Sequence, residues 1–308
     1  MRLLVNFVHW PLAFAWNYVR AFRRLGHDVK TAGTFLENRG YWAANPSMWE
    51  PDVPFGVQSK PGWFDAPAEA ALRVLQAEDW QSDAIITASY FFTLSGKAEV
   101  PHVLINFEPP EYNPHERGDF RHDYEFTSDY GVTPDERCEY LPLGYCPELH
   151  RNIIPLKYRA AAASYVGRMG KARRDFIQEI QTNTWLIAGV GITPDQYVTL
   201  TNAARAAIHF PLHDQNGATN RAWEYAAMGA VFISTRNEAM DAEGLIPEVN
   251  YLEYDGTAAD CKRQIDRVYD EGIEWAQTIV DNATRWVRPQ TYDARCERIV
   301  EVLQCDLI

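Results

Sequence analysis

Cysteine is scarce, long apolar runs are missing, and positive charge is outnumbered. The five cysteines, Cys138, Cys146, Cys261, Cys296 and Cys305, are odd in number and contain no C-x-x-C pair. That pattern points away from both a disulfide framework and a zinc ribbon, and a reducing compartment is the simplest setting. No stretch approaches the ~20 apolar residues that a membrane-spanning helix needs. The opening run Leu3-Leu4-Val5 is interrupted by Asn6 and His9 with no small-residue cleavage site behind it, so it reads as a first strand rather than a signal peptide. The expectation is a cytoplasmic protein. Against 42 Asp and Glu stand 29 Lys and Arg, a formal net charge of −13. So acidic a chain gains little from counterion release on nucleic acid unless its basic residues share one cleft.

What is present is a globular chain. At 308 residues, 46% hydrophobic and 23% charged, it is long enough for about two domains of ordinary composition. Short apolar runs rich in β-branched residues alternate with helical patterns throughout, the rhythm of βα units around parallel sheets, so the fold class is α/β. In the first half strands are expected at 3–8, 29–32, 84–88, 103–107, 124–127 and 140–143. A helix is expected to start near Pro11 and stop at Leu25-Gly26. Residues 34–64, rich in Trp, Pro, Gly and Asn, show no period and read as a long irregular segment, with Asp65 as N-cap of the helix that follows. The stretch Arg151 to Arg159 separates two strand series. Three segments are therefore expected: a Rossmann-like domain over 1–155, a second over 156–286, and a C-terminal helix over 287–308 that returns to the first. The second series has strands at 161–166, 184–188, 206–210, 231–234 and 251–254.

Two segments carry chemistry. In "SYVGRMGKARR", Ser164 to Arg174, a buried strand ends, Gly167 permits a tight turn, and Arg168, Lys171, Arg173 and Arg174 crowd the entry to a helix whose unpaired N–H groups already favour an anion. The segment reads equally well as a diphosphate clamp or as a solvated basic patch. In "IHFPLHDQNGATNRAWEYAAMGAVFIS", Ile208 to Ser234, a strand runs through a polar loop with Asn216 and Gly217. Thr219 or Asn220 then caps a helix whose first turns hold Arg221 and Glu224, three apart and so on one face. At the carboxyl end of a parallel sheet that face looks into the ligand crevice. Taken without this context, the pair reads as an ordinary surface salt bridge.

Together these segments resemble the glycosyltransferases of group 1, and among them the spore-maturation-protein-like branch. The "VGR" strand end with its basic residues, "NGATNRAWEYAAMGAVFIST" and "GLIPEVNYLEYD" carry the resemblance, chiefly over Ser164 to Asp255. It implies a GT-B architecture of two Rossmann-like domains facing a cleft, with the nucleotide sugar held mainly by the C-terminal one. It also implies that Glu224 binds the donor ribose and that Arg168, Lys171 and Arg221 face the diphosphate, with Gly167, Asn216 and Asn220 alongside. Where many group members carry a second glutamate, eight positions before the ribose-binding one, this chain has Asn216.

Catalytic candidates come from strand ends of the first half: His9, Glu108 before Pro109-Pro110, and Asp129. For each, a structural role as a cap or a hydrogen-bonded core group stands beside the catalytic one. His209 and His213 flank Pro211, and packing or sugar contact suits them better than a metal. Gly189-x-Gly191 lacks the third glycine of a dinucleotide fingerprint, which disfavours a dehydrogenase. The reading is therefore a glycosyltransferase that takes a nucleotide-diphosphate sugar as co-substrate, with no essential cofactor or metal and an unidentified hydroxyl acceptor. A hydroxymethylated DNA base is conceivable as acceptor, with Arg20, Arg23 and Arg24 as a small basic cluster, but net charge disfavours it. The alternatives are a nucleotide-sugar epimerase and a non-catalytic nucleotide-sugar-binding protein.

Overall fold

A computed structural model describes residues 1–9, 13–36, 50–58, 64–88, 92–96, 98–107, 122–128, 130–131, 135–167, 169–181, 184–189, 192–210 and 219–307. The chain forms two compact units, Met1–Pro142 with Tyr292–Ile308, and Leu143–Thr291. Both are α/β. No described helix is long and apolar enough to cross a membrane.

In unit 1 the chain runs β1 (Arg2–Asn6), α1 (Ala15–Arg24), β2 (Asp28–Leu36), β3 (Val53–Gln58), β4 (Phe64–Pro67), α2 (Ala68–Gln76), β5 (Ala84–Thr87), β6 (Phe92–Ser95), β7 (His102–Asn106), β8 (Tyr124–Thr127) and β9 (Cys138–Tyr140). Seven strands make one sheet in the order β3-β2-β1-β5-β7-β8-β9, parallel throughout, and β4 and β6 form a separate parallel pair. Strands β1, β5 and β7 lie in mid-sheet and are apolar nearly end to end because helices or loops must cover both faces. The chain departs from β1 toward β2 on one side and reappears at β5 on the other, a topological switch point.

Three expectations need correction here. The span 34–64 is not wholly irregular: β2 continues to Leu36, and β3 pairs with it at the sheet edge. Pro54 and Gly56 hid that strand, and both are tolerated there because an edge strand needs partners on one side only. Asp65 lies within β4, and the N-cap of α2 is Pro67 with no side-chain cap bond. The strand expected at 140–143 ends at Tyr140. Residues 37–49 and 59–63, which hold Trp42, Trp49 and Trp63, lie outside the described residues.

The last helix, α9 (Tyr292–Val302), completes unit 1. The Tyr292 ring meets Tyr18 of α1 edge-on at 4.9 Å, Arg24 pairs with Asp293 at 2.7 Å, and Arg298 grips Glu139 of β9 at 2.7 Å. The apolar stripe of α1 (Trp16, Val19, Phe22) is buried, so its arginines extend from the rim. Arg23 donates to the Val29 carbonyl and Arg20 to Asn17, so all three basic residues of α1 have partners within the unit.

Beneath the switch point of unit 1 lies a hydrogen-bonded chain. Thr87 donates its only hydroxyl proton to Asn6 Oδ1 at 2.9 Å, so His102 Nε2, 2.6 Å from the same hydroxyl oxygen, must be the protonated nitrogen and donate to it. Asn6 in turn donates to the Phe92 carbonyl. Burial, with a smaller push from His122, lowers the His102 pKa to about 3.

Unit 2 comprises β10 (Ala161–Val166), α3 (Lys171–Gln181), β11 (Leu186–Gly189), α4 (Pro194–Ala203), β12 (Ala204–Ile208), α5 (Asn220–Ala227), β13 (Val231–Ser234), α6 (Glu238–Ala242), β14 (Leu252–Glu253), α7 (Ala258–Asp270) and α8 (Ile273–Val287). Its five strands are parallel in the order β11-β10-β12-β13-β14. The caps are local chemistry. Thr193 and Gln196 close a capping box ahead of Pro194, and Thr257 accepts from Asp260 N.

One buried cation ties this unit together. Arg159, 2% exposed, donates Nη2 to the Met228 carbonyl at the end of α5 (2.6 Å), Nη1 to the Ala204 carbonyl at the end of α4 (3.1 Å), and Nε to the Ile154 carbonyl (2.9 Å); Nη2 also meets Asn152 Oδ1 at 3.0 Å. Burial lowers its pKa to about 10, so it stays charged at neutral pH, where two helix C-termini favour a cation. Gly229 closes the cluster at φ +66°. A Cβ there would clash with Asn152 Nδ2.

Two outcomes are expected. Arg159→Met leaves several buried carbonyls without donors at about 1–3 kcal/mol each, and Gly229→Ala adds a clash to an unfavourable φ; urea unfolding should show both variants less stable, Arg159→Met by about 3 kcal/mol or more. His102 is held neutral in the folded chain, so as pH falls from 6.5 toward its depressed value the unfolded chain takes the proton first and stability is lost. The slope is at most about 1.4 kcal/mol per pH unit, and the contribution is fully present above pH 6.5. Thermal melts between pH 7 and 4 should fall less steeply for His102→Gln, whose amide keeps a donor toward Thr87 but does not titrate.

Candidate functional site

The carboxyl ends of β10 and β12 are neighbours in the sheet of unit 2. The chain leaves β10 for β11 on one side and returns to β12 on the other, which makes their shared edge the place where an open parallel sheet binds ligands. Two helices begin above it, α3 after Gly167 and α5 after Thr219.

Helix α5 starts where it does because Thr219, in an extended conformation, accepts from Arg221 N. It is drawn against the sheet by Ala222, Trp223, Tyr225 and Ala226, all buried, with Trp223 stacked on Trp286 of α8. Glu224 faces the same way, and its side chain is 4% exposed. Its carboxylate Oε2 accepts from Tyr197 Oη at 2.5 Å and from Arg221 Nη1 at 2.7 Å; Oε1 accepts from Asn220 Nδ2 at 2.8 Å. Behind Oε1 stands His150 Nε2 at 3.8 Å. The Cys146 N–H donates to His150 Nδ1, so the ring proton of the neutral imidazole is on Nε2, the atom turned toward Glu224. A carboxylate has about four acceptor positions. Described residues fill three, and the fourth is on Oε1.

The Arg221 guanidinium lies over the Tyr197 ring at 4.5 Å and near Tyr225 at 5.9 Å. Burial acts to lower its pKa, but the Tyr197 oxygen and the Glu224 carboxylate outweigh that and hold it well above its ordinary value. Burial, assisted by the Glu224 charge and hydrogen bond and opposed by Arg221, keeps the Tyr197 phenol protonated. The pair therefore exists as the sequence spacing required, but in a buried network rather than on a solvated surface.

On the β10 side, Gly167 follows the strand end, where a Cβ would meet Tyr165 Oη at 3.0 Å. Lys171, at the first position of α3, is exposed. Arg173 reaches across to donate to the Phe210 carbonyl just beyond β12 at 3.0 Å, and it is hydrogen-bonded to Tyr165. The structure thus brings Asn220, Arg221 and Glu224 into one cluster, with Gly167 and Lys171 at the adjoining strand end. Arg168 and Asn216 lie outside the described residues, as do Asp214, His213 and the unit 1 candidates Glu108 and Asp129.

His9 is in unit 1 and fully buried. Its Nε2 donates to the Ala32 carbonyl at 3.2 Å, its ring stacks on Phe7 at 3.9 Å, and Trp16 meets it edge-on. That is the environment of a hydrogen-bonded core histidine, the structural alternative left open by the sequence. Tyr197 and His150 escaped the sequence reading. One is a mid-helix aromatic and the other an isolated histidine, and neither belongs to a motif. Among the described residues, no cluster of three or more His, Cys, Asp and Glu could hold a metal ion.

Residues 171–301, from the start of α3 into α9, match the family described as Glycosyl transferase-like. A search of curated proteins finds no match. Among solved structures, an alpha-glucosyltransferase in complex with UDP and a 13-mer DNA superposes with a TM-score of 0.66 at 10% identity, covering 99% of this chain and 100% of that one. HepE from Anabaena, in complex with UDP and glucose, gives 0.65 at 10% identity over 99% of each chain. Sucrose-phosphate synthase from Thermosynechococcus elongatus gives 0.64 at 13% identity over 99% of this chain and 98% of its own. Residues 171–301, most of unit 2, thus form a glycosyl transferase-like domain, and along its whole length the chain has the GT-B fold of these structures.

Proposed function

We propose that unit 2 holds the nucleotide half of a nucleotide-diphosphate sugar, uridine diphosphate being the nucleotide favoured by the UDP bound to two of the structural neighbours. The observation that carries this reading is the Glu224 carboxylate. It is buried, its charge is balanced by Arg221, it is oriented by Tyr197 and Asn220, and one acceptor position remains on Oε1. A ribose hydroxyl donates to that position. The diphosphate lies toward the N-termini of α3 and α5, where free N–H groups, Lys171, Arg221 and Arg173 supply positive charge. Protein cations thereby take the part that a divalent metal plays in other phosphate sites. The small basic cluster of α1 is engaged within its own unit and gives no support to DNA as acceptor.

Glu224→Gln keeps the size but loses the charge-assisted bonds, worth about 1.5–3 kcal/mol each. Calorimetric titration of the folded variant should show at least a tenfold loss of affinity for UDP and for its sugar conjugate. Unchanged affinity would mean the donor site is elsewhere. Arg221→Ala should weaken UDP binding far more than uridine binding. Turnover separates transfer from epimerisation: the transferase releases UDP, slowly even to water, whereas conversion of the sugar nucleotide to its epimer without UDP release would sink the reading.

A further inference from the structure

His209 follows β12 directly, its N–H on the Ile233 carbonyl and its carbonyl accepting from Tyr254 Oη. Its Nδ1 lies 3.1 Å from Oγ of Ser234, the last residue of β13. Ser234 is 1% exposed, and Nδ1 is the one acceptor its hydroxyl meets among the described residues. A buried hydroxyl proton left without an acceptor is costly. The serine therefore donates to Nδ1, and the ring's own proton is on Nε2.

That Nε2–H has no partner among the described residues, and His209 is partly exposed at the edge where β10 and β12 end. Arg173 is fixed to the carbonyl of the very next residue, Phe210. The setting also fixes the charge of the ring. Burial first, then Arg221 and Arg173, lowers the His209 pKa to about 3. The imidazole is thus a neutral N–H donor with a single tautomer, placed among two guanidiniums that exclude a third cation.

We propose that His209 is a donor-binding residue whose Nε2–H hydrogen-bonds an oxygen of the nucleotide's diphosphate, alongside Arg173 and Arg221. This rests on the donor-site reading given above. The group that two arginines attract to this edge is an anion, and a phosphate oxygen, itself charged, accepts a charge-assisted hydrogen bond from a neutral N–H. An imidazole fixed in this tautomer loses little freedom on binding.

The test is calorimetric titration of the full chain with UDP and with uridine. His209→Asn keeps an acceptor for the Ser234 hydroxyl but has no N–H at the Nε2 position, whereas His209→Gln places an amide N–H there. The expected result is about a tenfold loss of UDP affinity in His209→Asn, the size of one hydrogen bond to a charged group, with uridine affinity within about twofold. His209→Gln should recover most of the loss. Equal losses for UDP and uridine, no loss for UDP, or no advantage of Gln over Asn would overturn the proposal. Histidine 15N NMR on the wild-type protein is independent of how the variants fold: UDP should shift the protonated Nε2 of His209 and leave His102 unmoved, and an unmoved His209 signal in a UDP-saturated sample also overturns it. A wild-type chain that binds neither UDP, ADP nor GDP would overturn the donor-site reading itself, a result distinct from any of these.

Discussion

The buried guanidinium of Arg159 is the contact on which the packing of α4 and α5 depends. It has five N–H donors and, among the described residues, no carboxylate partner; carbonyls at the ends of α4 and α5 and an asparagine oxygen take its hydrogen bonds. A cation accepted by carbonyls at two helix C-termini fixes the spacing of those helices more tightly than apolar packing does, because the carbonyls cannot be satisfied otherwise in a buried place. One turn back along α5 is Glu224, and two turns back along α4 is Tyr197. A 2.5 Å hydrogen bond joins these two residues across the same helix pair.

Around Glu224 the protein has solved the problem of holding a buried charge. Arg221 neutralises it, Tyr197 and Asn220 orient it, and His150 Nε2 stands 3.8 Å from Oε1. A carboxylate held this way pays little reorganisation when a hydroxyl arrives. Arg221 is stacked on Tyr197 and bonded to Glu224, which gives it one stable orientation.

Both units use a hydroxyl at a strand end to decide where an imidazole proton resides. In unit 1 Thr87 spends its proton on Asn6 and so compels His102 to donate; in unit 2 Ser234 has Nδ1 as its acceptor and so leaves the His209 proton on Nε2. Burial depresses both histidines to about 3. The first network is closed on itself and serves the core. The second is open at one end.

By itself the sequence determined the parallel α/β layout, the capped helix carrying Arg221 and Glu224, and the basic entry to α3, since these follow from periodicity, caps and i,i+3 spacing, all of them local. The edge strand β3 was concealed by Pro54 and Gly56, residues that only its position at the margin of the sheet makes tolerable. The tertiary structure alone decided which distant groups meet. Tyr197, His150 and Arg159 converge on α5 from elements 27, 74 and 69 residues away from their contacts there, and no pattern in a linear chain encodes that convergence. It also decided that His9 is a core residue and that His209 is partly exposed at the end of β12, because a histidine's setting depends on the burial and partners around its two nitrogens, which packing sets.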